Sequence, residues 1–142
     1  MAHLNCQVEL VRAVGEFLPF REDLFDYVTI GLALRNFANK VGMFKESLRV
    51  MARSGWFLSI DFVRLKNHFL WSVYGFHLFH TMPAWGRLVS KYWYRTLVYL
   101  ANSILISASA AENVKLLSEV GYRNTSFENI TLGVVALLIA QK

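Results

Sequence analysis

The stretch Phe25-Asp26-Tyr27-Val28-Thr29-Ile30-Gly31-Leu32-Ala33-Leu34-Arg35-Asn36 constrains this chain more than any other. Tyr27 to Leu34 is almost continuously apolar or β-branched, the pattern of a parallel strand covered on both faces. Gly31 interrupts the run where backbone passes close to something. Arg35-Asn36 then sets hydrogen-bonding side chains just past the carboxyl end, where ligands bind in open α/β sheets. A core strand followed by a solvated Arg-Asn turn satisfies the same pattern, so its neighbours must decide.

Those neighbours predict α/β organisation. Ala38 to Ser54 reads as a helix, with Val41, Phe44, Leu48 and Met51 on one face and Ser54-Gly55 as its stop. Trp56 to Val63 reads as a second buried strand with Asp61 near its carboxyl end. Strand, helix and strand form a βαβ unit, hence parallel strands with helices on the sheet. Upstream, Val8 to Val14 reads as a short strand, broken at Leu18-Pro19-Phe20. Downstream, Arg64 to Arg95 is aromatic-rich and mostly helical, divided at Pro83 and Gly86, and Val98 to Ile106 continues as helix or apolar turn. Ser109-Ala110-Ala111-Glu112 has the spacing of a capping box, and Gly121 ends the helix it opens. Tyr122 to Asn129 and Leu132 to Ala140 read as an antiparallel strand pair.

The 142 residues suit one domain, 1–142, with no repeat or linker. A hydrophobic fraction of 55% and an aromatic fraction of 15% exclude disorder. Cys6 is the single cysteine, so neither an intrachain disulfide nor a zinc cluster is expected. The amino terminus lacks the charged and apolar blocks of a signal peptide. Asn67 to Gly86 and Thr96 to Ala111 carry no Asp, Glu, Lys or Arg, but His, Pro, Gly, Asn and Ser interrupt them. Neither fits a spanning helix of about 20 mainly apolar residues. The expected location is cytoplasmic, with peripheral contact at a membrane.

The order of elements, together with Leu18-Pro19-Phe20, Phe25-Asp26, Val28-Thr29-Ile30-Gly31 and Leu34-Arg35-Asn36, resembles the carboxyl-terminal half of a class I S-adenosylmethionine-dependent methyltransferase. More narrowly, it resembles the ubiquinone/menaquinone biosynthesis C-methyltransferase family. Arg49-Val50 and Gly55 sit where that family has R-V-L-K-P-G-G. Gly121-Tyr122 matches its G-F, and Asn129 to Ala136 matches its closing N-L-T-G-G-I-V-A. The match runs over nearly the whole chain.

The resemblance implies a Rossmann-like sheet of order 3-2-1-4-5-7-6, of which this chain would hold strands three to seven. It implies S-adenosylmethionine as cofactor, a prenylated quinol as substrate and methyl transfer to a ring carbon. Gly15, Glu16 and Phe17, ahead of Leu18, and Gly31, Leu32 and Asn36 would line the cofactor. Arg35 would stand at the substrate as the catalytic residue, holding a phenolate or orienting a water. The departures are equally specific. No G-x-G occurs in the chain, the upstream ribose-holding acid has no counterpart, and Val14 stands where the family has an aspartate. The family's fourth strand, Tyr27 to Leu34, then becomes a sheet edge, which invites pairing. Val8 to Val14 re-docking on it, pairing of two copies, and a missing amino-terminal half all satisfy it. The expectation is an enzyme incomplete on its own; the alternative is a non-catalytic relic or interaction subunit acting through an oligomer.

Three further constellations remain open. His77 and His80, with His68 nearby, share a helical face and allow a metal or general-base reading, though no carboxylate completes a ligand set and no metal is assigned. The aromatic stretch Phe69 to Tyr94 reads as core, as a lid over a lipid-tailed substrate, or, with Arg87, Lys91 and Arg95, as a membrane interface. Arg35, Lys40, Lys45, Arg49, Arg53, Arg64 and Lys66, against Glu46 and Asp61, read as a phosphate-facing patch or as a solvated helix face, with no nucleic-acid module beside them.

Overall fold

The structure, a computed structural model, describes residues 8–65 and 67–142; Cys6 and Lys66 of the sequence reading lie outside the described residues. The strands are β1 (Phe25–Gly31), β2 (Met51–Phe62), β3 (Arg123–Ile130) and β4 (Val135–Gln141), and the sheet order is β1-β2-β4-β3. β1 and β2 are parallel, with Val28 opposite Phe57 and Ile30 opposite Ser59. β4 pairs antiparallel with both β2 and β3. Three strands therefore point one way and β4 alone is reversed. The predicted carboxyl-terminal antiparallel pair is present. The mostly parallel sheet holds for strand direction, whereas two of the three pairings are antiparallel.

The helices are α1 (Lys40–Val50), α2 (His68–Phe76), α3 (Met82–Val89), α4 (Lys91–Leu105) and α5 (Ala110–Val120). Asn39 caps α1, its side chain accepting from the Gly42 N–H at 2.9 Å. The predicted box at α5 is formed in both directions, and Gly121 closes that helix with φ +116°, a conformation that costs glycine least.

α1 and α5 pack on one face of the sheet. Met43 and Phe44 of α1 and Leu117 of α5 meet Phe57, Ala136, Leu138 and Ala140 in one buried cluster. Phe57 lies between two rings, 5.6 Å from Phe44 and 5.5 Å from Tyr122, both edge-on. Burying a side chain of this size stabilises the fold by about 1.5–3 kcal/mol. The opposite face carries Tyr27, Trp56, Leu58, Ile60, Leu137 and Ile139 in register. On that face Ile60, on an interior strand, is 40% exposed and Tyr27 is 64% exposed, whereas Trp56, Leu58, Leu137 and Ile139 are half-buried and Phe62, at the end of β2, packs against Leu78, Ala101 and Ile104.

Four expectations are corrected. Val8 to Val14 forms no strand and does not dock on β1; Val8 and Leu10 stand in solvent, the chain meets the body from Gly15 onward, and the Leu18 N–H donates to Glu46 Oε1 at 2.8 Å. α1 stops at Val50 rather than Ser54, because β2 begins at Met51 and makes a bulge against β1 between Phe25 and Tyr27, with Ser54 at φ +67°. β1 ends at Gly31, and Leu34–Asn36 is a single 3₁₀ turn. Pro83 and Gly86 do not divide the aromatic helices. Proline's missing N–H is absorbed by a π-helical turn, His77–Thr81, in which the Met82 N–H reaches back to the His77 carbonyl. Gly86 is where α3 and α4 cross: a Cβ there would lie 3.0 Å from the Tyr94 backbone. The break comes at Ser90, which is extended and caps α4 through its hydroxyl.

Candidate functional site

β1 and β2 end side by side, and the chain after each carries the site. Gly31 pairs with Ile60, and the Leu32 N–H donates to the Ile60 carbonyl at 2.8 Å. Leu32 is held at φ +55°, a costly conformation for a side chain of this kind, and it is exposed. A Cβ on Gly31 would meet nothing within 4 Å. The close neighbour that Gly31 anticipates is therefore not a described part of this chain.

Arg35 is turned inward by the 3₁₀ turn. Its backbone N–H donates to Asp61 Oδ2 at 3.0 Å and its Nη1 to Asp61 Oδ1, an ion pair in which the side chains are 10% and 4% exposed. Nη1 also donates to the Leu32 carbonyl at 2.8 Å and Nε to Ser103 Oγ at 3.1 Å. The guanidinium lies 5.6 Å from the centre of the Phe62 ring. The Phe62 N–H supplies Asp61 with a further bond at 2.7 Å. One buried cation thus joins the ends of β1 and β2 to α4. Next to it, Asn36 Oδ1 accepts from the Tyr99 hydroxyl at 3.0 Å, a second tie to α4. Tyr74 stands within reach of the Arg35 charge. Burial raises its phenol's pKa, and Arg35 opposes that shift.

Beneath the ion pair is a cavity of about 10 Å³, room for about one water, lined by Lys40, Asp61, Ser107 and Asn113 among others. The Asn113 Oδ1 is buried with no hydrogen-bond partner among the described residues. Burial lowers the Lys40 pKa, opposed by the charges of Asp61 and Glu112.

The predicted site residues divide. Gly31, Leu32, Arg35 and Asn36 are brought together at one end of the sheet. Gly15 packs toward the same turn, where a Cβ would run into the Phe37 ring. Glu16 is half-buried and Phe17 is exposed in the turn closed by its N–H on the Val14 carbonyl. Asp61 was passed over as a site residue, although an aspartate inside an apolar strand demands a cation or donors. Arg35 pairs with it and is not in a solvated turn. The histidines do not converge: His77 Nδ1 lies 2.6 Å from Thr81 Oγ1, His80 stacks on Phe76 at 4.9 Å, and no cluster of three metal-ligating side chains exists among the described residues. Arg35, Arg49 and Arg64 of the basic patch are each ion-paired, to Asp61, Glu46 and Glu112. Among the described residues no single helix is long and apolar enough to cross a membrane.

Comparison with known proteins gives the family and the fold. The chain is 36% identical over 132 residues to a ubiquinone/menaquinone biosynthesis C-methyltransferase of Marinomonas sp., covering 92% of this chain and 51% of that protein. It is 32% identical to the mitochondrial 2-methoxy-6-polyprenyl-1,4-benzoquinol methylase of Xenopus laevis, covering 87% and 39%. The chain therefore spans about half the length of the curated relatives it matches, or less. The fold is shared with an S-adenosylmethionine-dependent methyltransferase of Thermotoga maritima, with a TM-score of 0.63 and 14% identity over 95% of this chain and 64% of that one. It is also shared with a putative methyltransferase of Bacillus halodurans, at 0.60 and 17% over 95% and 78%. A match of the ubiE/COQ5 methyltransferase family model spans residues 1–142, and the chain belongs to that family.

Proposed function

We propose that this chain supplies the substrate-side half of a quinone C-methyltransferase, and that a glycine-rich amino-terminal half completes its cofactor pocket. One observation carries the reading: the site stands at an open boundary. β1 has no strand beyond it among the described residues, Tyr27 and Ile60 beside that edge are exposed on one sheet face, and Gly31 faces open space. Doubly wound sheets are covered on both faces, so a second body fits here.

The described residues fit one wall of an S-adenosylmethionine site. Gly31 leaves space against the backbone, and Leu32 and Asn36 flank it. The residues that grip phosphate-like or ribose groups in such folds, a glycine-rich turn and a carboxylate, would come from the other half. The cofactor brings an activated methyl group, so the protein's part is alignment and exclusion of water. Arg35, fixed by Asp61 and Ser103, holds positive charge at a defined place beside Tyr74. There it favours a phenolate on a prenylated quinol, the substrate class for which the Xenopus relative is named. A lipid-tailed substrate also brings the protein to a membrane surface.

The test titrates S-adenosylmethionine by calorimetry into this chain alone, and into the chain co-purified with the amino-terminal half of a bacterial relative. The expected result is no binding alone and micromolar binding by the pair. Tight binding by the single chain overturns the half-site reading. No binding by an assembled pair overturns the cofactor reading. A pair that binds S-adenosylmethionine but transfers no methyl group selects the non-catalytic subunit. A homodimer burying β1 would put a second copy in place of the other half.

A further inference from the structure

The helical segment from α2 to α4 is apolar on both sides. Inward, Leu78, Ala101 and Ile104 form a small buried cluster under Trp71, Tyr74 and Met82. Outward, Trp85, Leu88 and Val89 recur at i, i+3 and i+4 on α3, and Tyr92 and Trp93 follow across the Ser90 break; all are exposed, Leu88 at 79% and Tyr92 at 77%. A contiguous exposed apolar patch of this kind marks an interaction surface.

Its charge is one-sided. No Asp or Glu occurs from Phe62 to Ala111, whereas Arg87, Lys91 and Arg95 stand among the exposed aromatics. Arg87 is held on the Tyr94 ring at 4.6 Å and donates to its hydroxyl at 3.1 Å. Aromatic and aliphatic side chains ringed by bases, with no acid, match the boundary of an anionic bilayer. They match a second copy poorly, since a two-fold contact would set like charges together with no acid to offset them.

We infer that the α3–α4 hairpin is a docking surface for anionic lipid, seating Trp85, Leu88, Val89 and Tyr92 in the interface with Lys91 and Arg95 against the headgroups. The inference deepens the membrane contact proposed above. Its test uses no cofactor or substrate, so it fails or stands independently of the methyltransferase reading.

The full chain is sedimented with vesicles of phosphatidylcholine alone, or with a third of the lipid as phosphatidylglycerol, and tryptophan fluorescence is followed. The expected result is binding to the anionic vesicles with a blue shift. Lys91→Gln with Arg95→Gln should weaken it about 30-fold, taking about 1 kcal/mol per base at the surface. Leu88→Ser with Val89→Ser should abolish the blue shift, while Tyr27→Ser on the β1 edge should change nothing. All these positions are exposed, and far-UV circular dichroism checks folding. If the serine pair unfolds, the glutamine pair decides alone. Equal binding to both vesicles, no binding by the folded chain, or indifference to the hairpin variants overturns the inference. So does self-association through the hairpin, or its capture by an acidic protein to the exclusion of vesicles.

Discussion

Replacing Asp61 with alanine should do more damage than its single side chain suggests. Asp61 accepts from the Arg35 backbone, the Arg35 guanidinium and the Phe62 backbone, and both partners of the ion pair are nearly out of solvent. Removing the acid leaves a guanidinium buried without a counter-charge, at a cost of about 3–5 kcal/mol. That is a large share of the 5–15 kcal/mol that holds an ordinary domain together. In urea, with a slope of about 1–3 kcal/mol/M, the midpoint should fall by more than about 1 M. Asp61→Asn keeps one acceptor and should fall between. Arg35→Met combined with Asp61→Leu removes both charges and should recover most of the loss, since buried pairs replaced by apolar residues are often neutral. The assay is urea unfolding of the 142-residue chain followed by circular dichroism. A loss under about 1 kcal/mol in Asp61→Ala, or a double variant no better than the single, would refute the claim that this pair is a desolvated unit.

Two further outcomes follow from described contacts. Burial raises the Tyr122 pKa in the folded state, while in the unfolded chain it titrates near 10.0. The unfolded state therefore releases that proton first, and stability present below pH 10 declines as pH rises further. Tyr122→Phe should flatten this alkaline loss in unfolding curves taken on either side of pH 10. Ser103→Ala removes the Arg35 Nε contact and should loosen α4, raising its amide hydrogen exchange about fivefold while β2 is unchanged.

Much of this was legible before any coordinates, for identifiable reasons. The capping box at Ser109 and Glu112 and the Gly121 cap are local signals whose chemistry does not depend on the rest of the chain. The apolar runs in β1, β2 and β4 announce strands by themselves. Val8 to Val14 misled because an apolar run says nothing about whether a partner strand exists. The Met51 to Gly55 bulge was hidden because helix stop and strand entry use the same small residues. Pro83 read as a break because a π-helical turn that absorbs it leaves no sequence mark. At the site, Arg35 and Asn36 were visible from their place after a strand. The identity of Arg35's partner depended on which strand lies beside β1, and that is a fact of topology rather than of local sequence.

β4 follows β3 in the chain yet lies between β3 and β2 in the sheet. On a ribosome, β3 therefore emerges with no strand to pair with, and β2 waits with one side open. Only the arrival of Val135–Gln141 joins the parallel pair to β3. Until then, two incomplete pieces await β4, and their pairings span much of the chain. Such an order favours slow, late closure over stepwise growth. A ribosome stalled before β4 clears the exit tunnel should hold a protease-sensitive chain, and emergence of β4 should convert it to the protected form in one step.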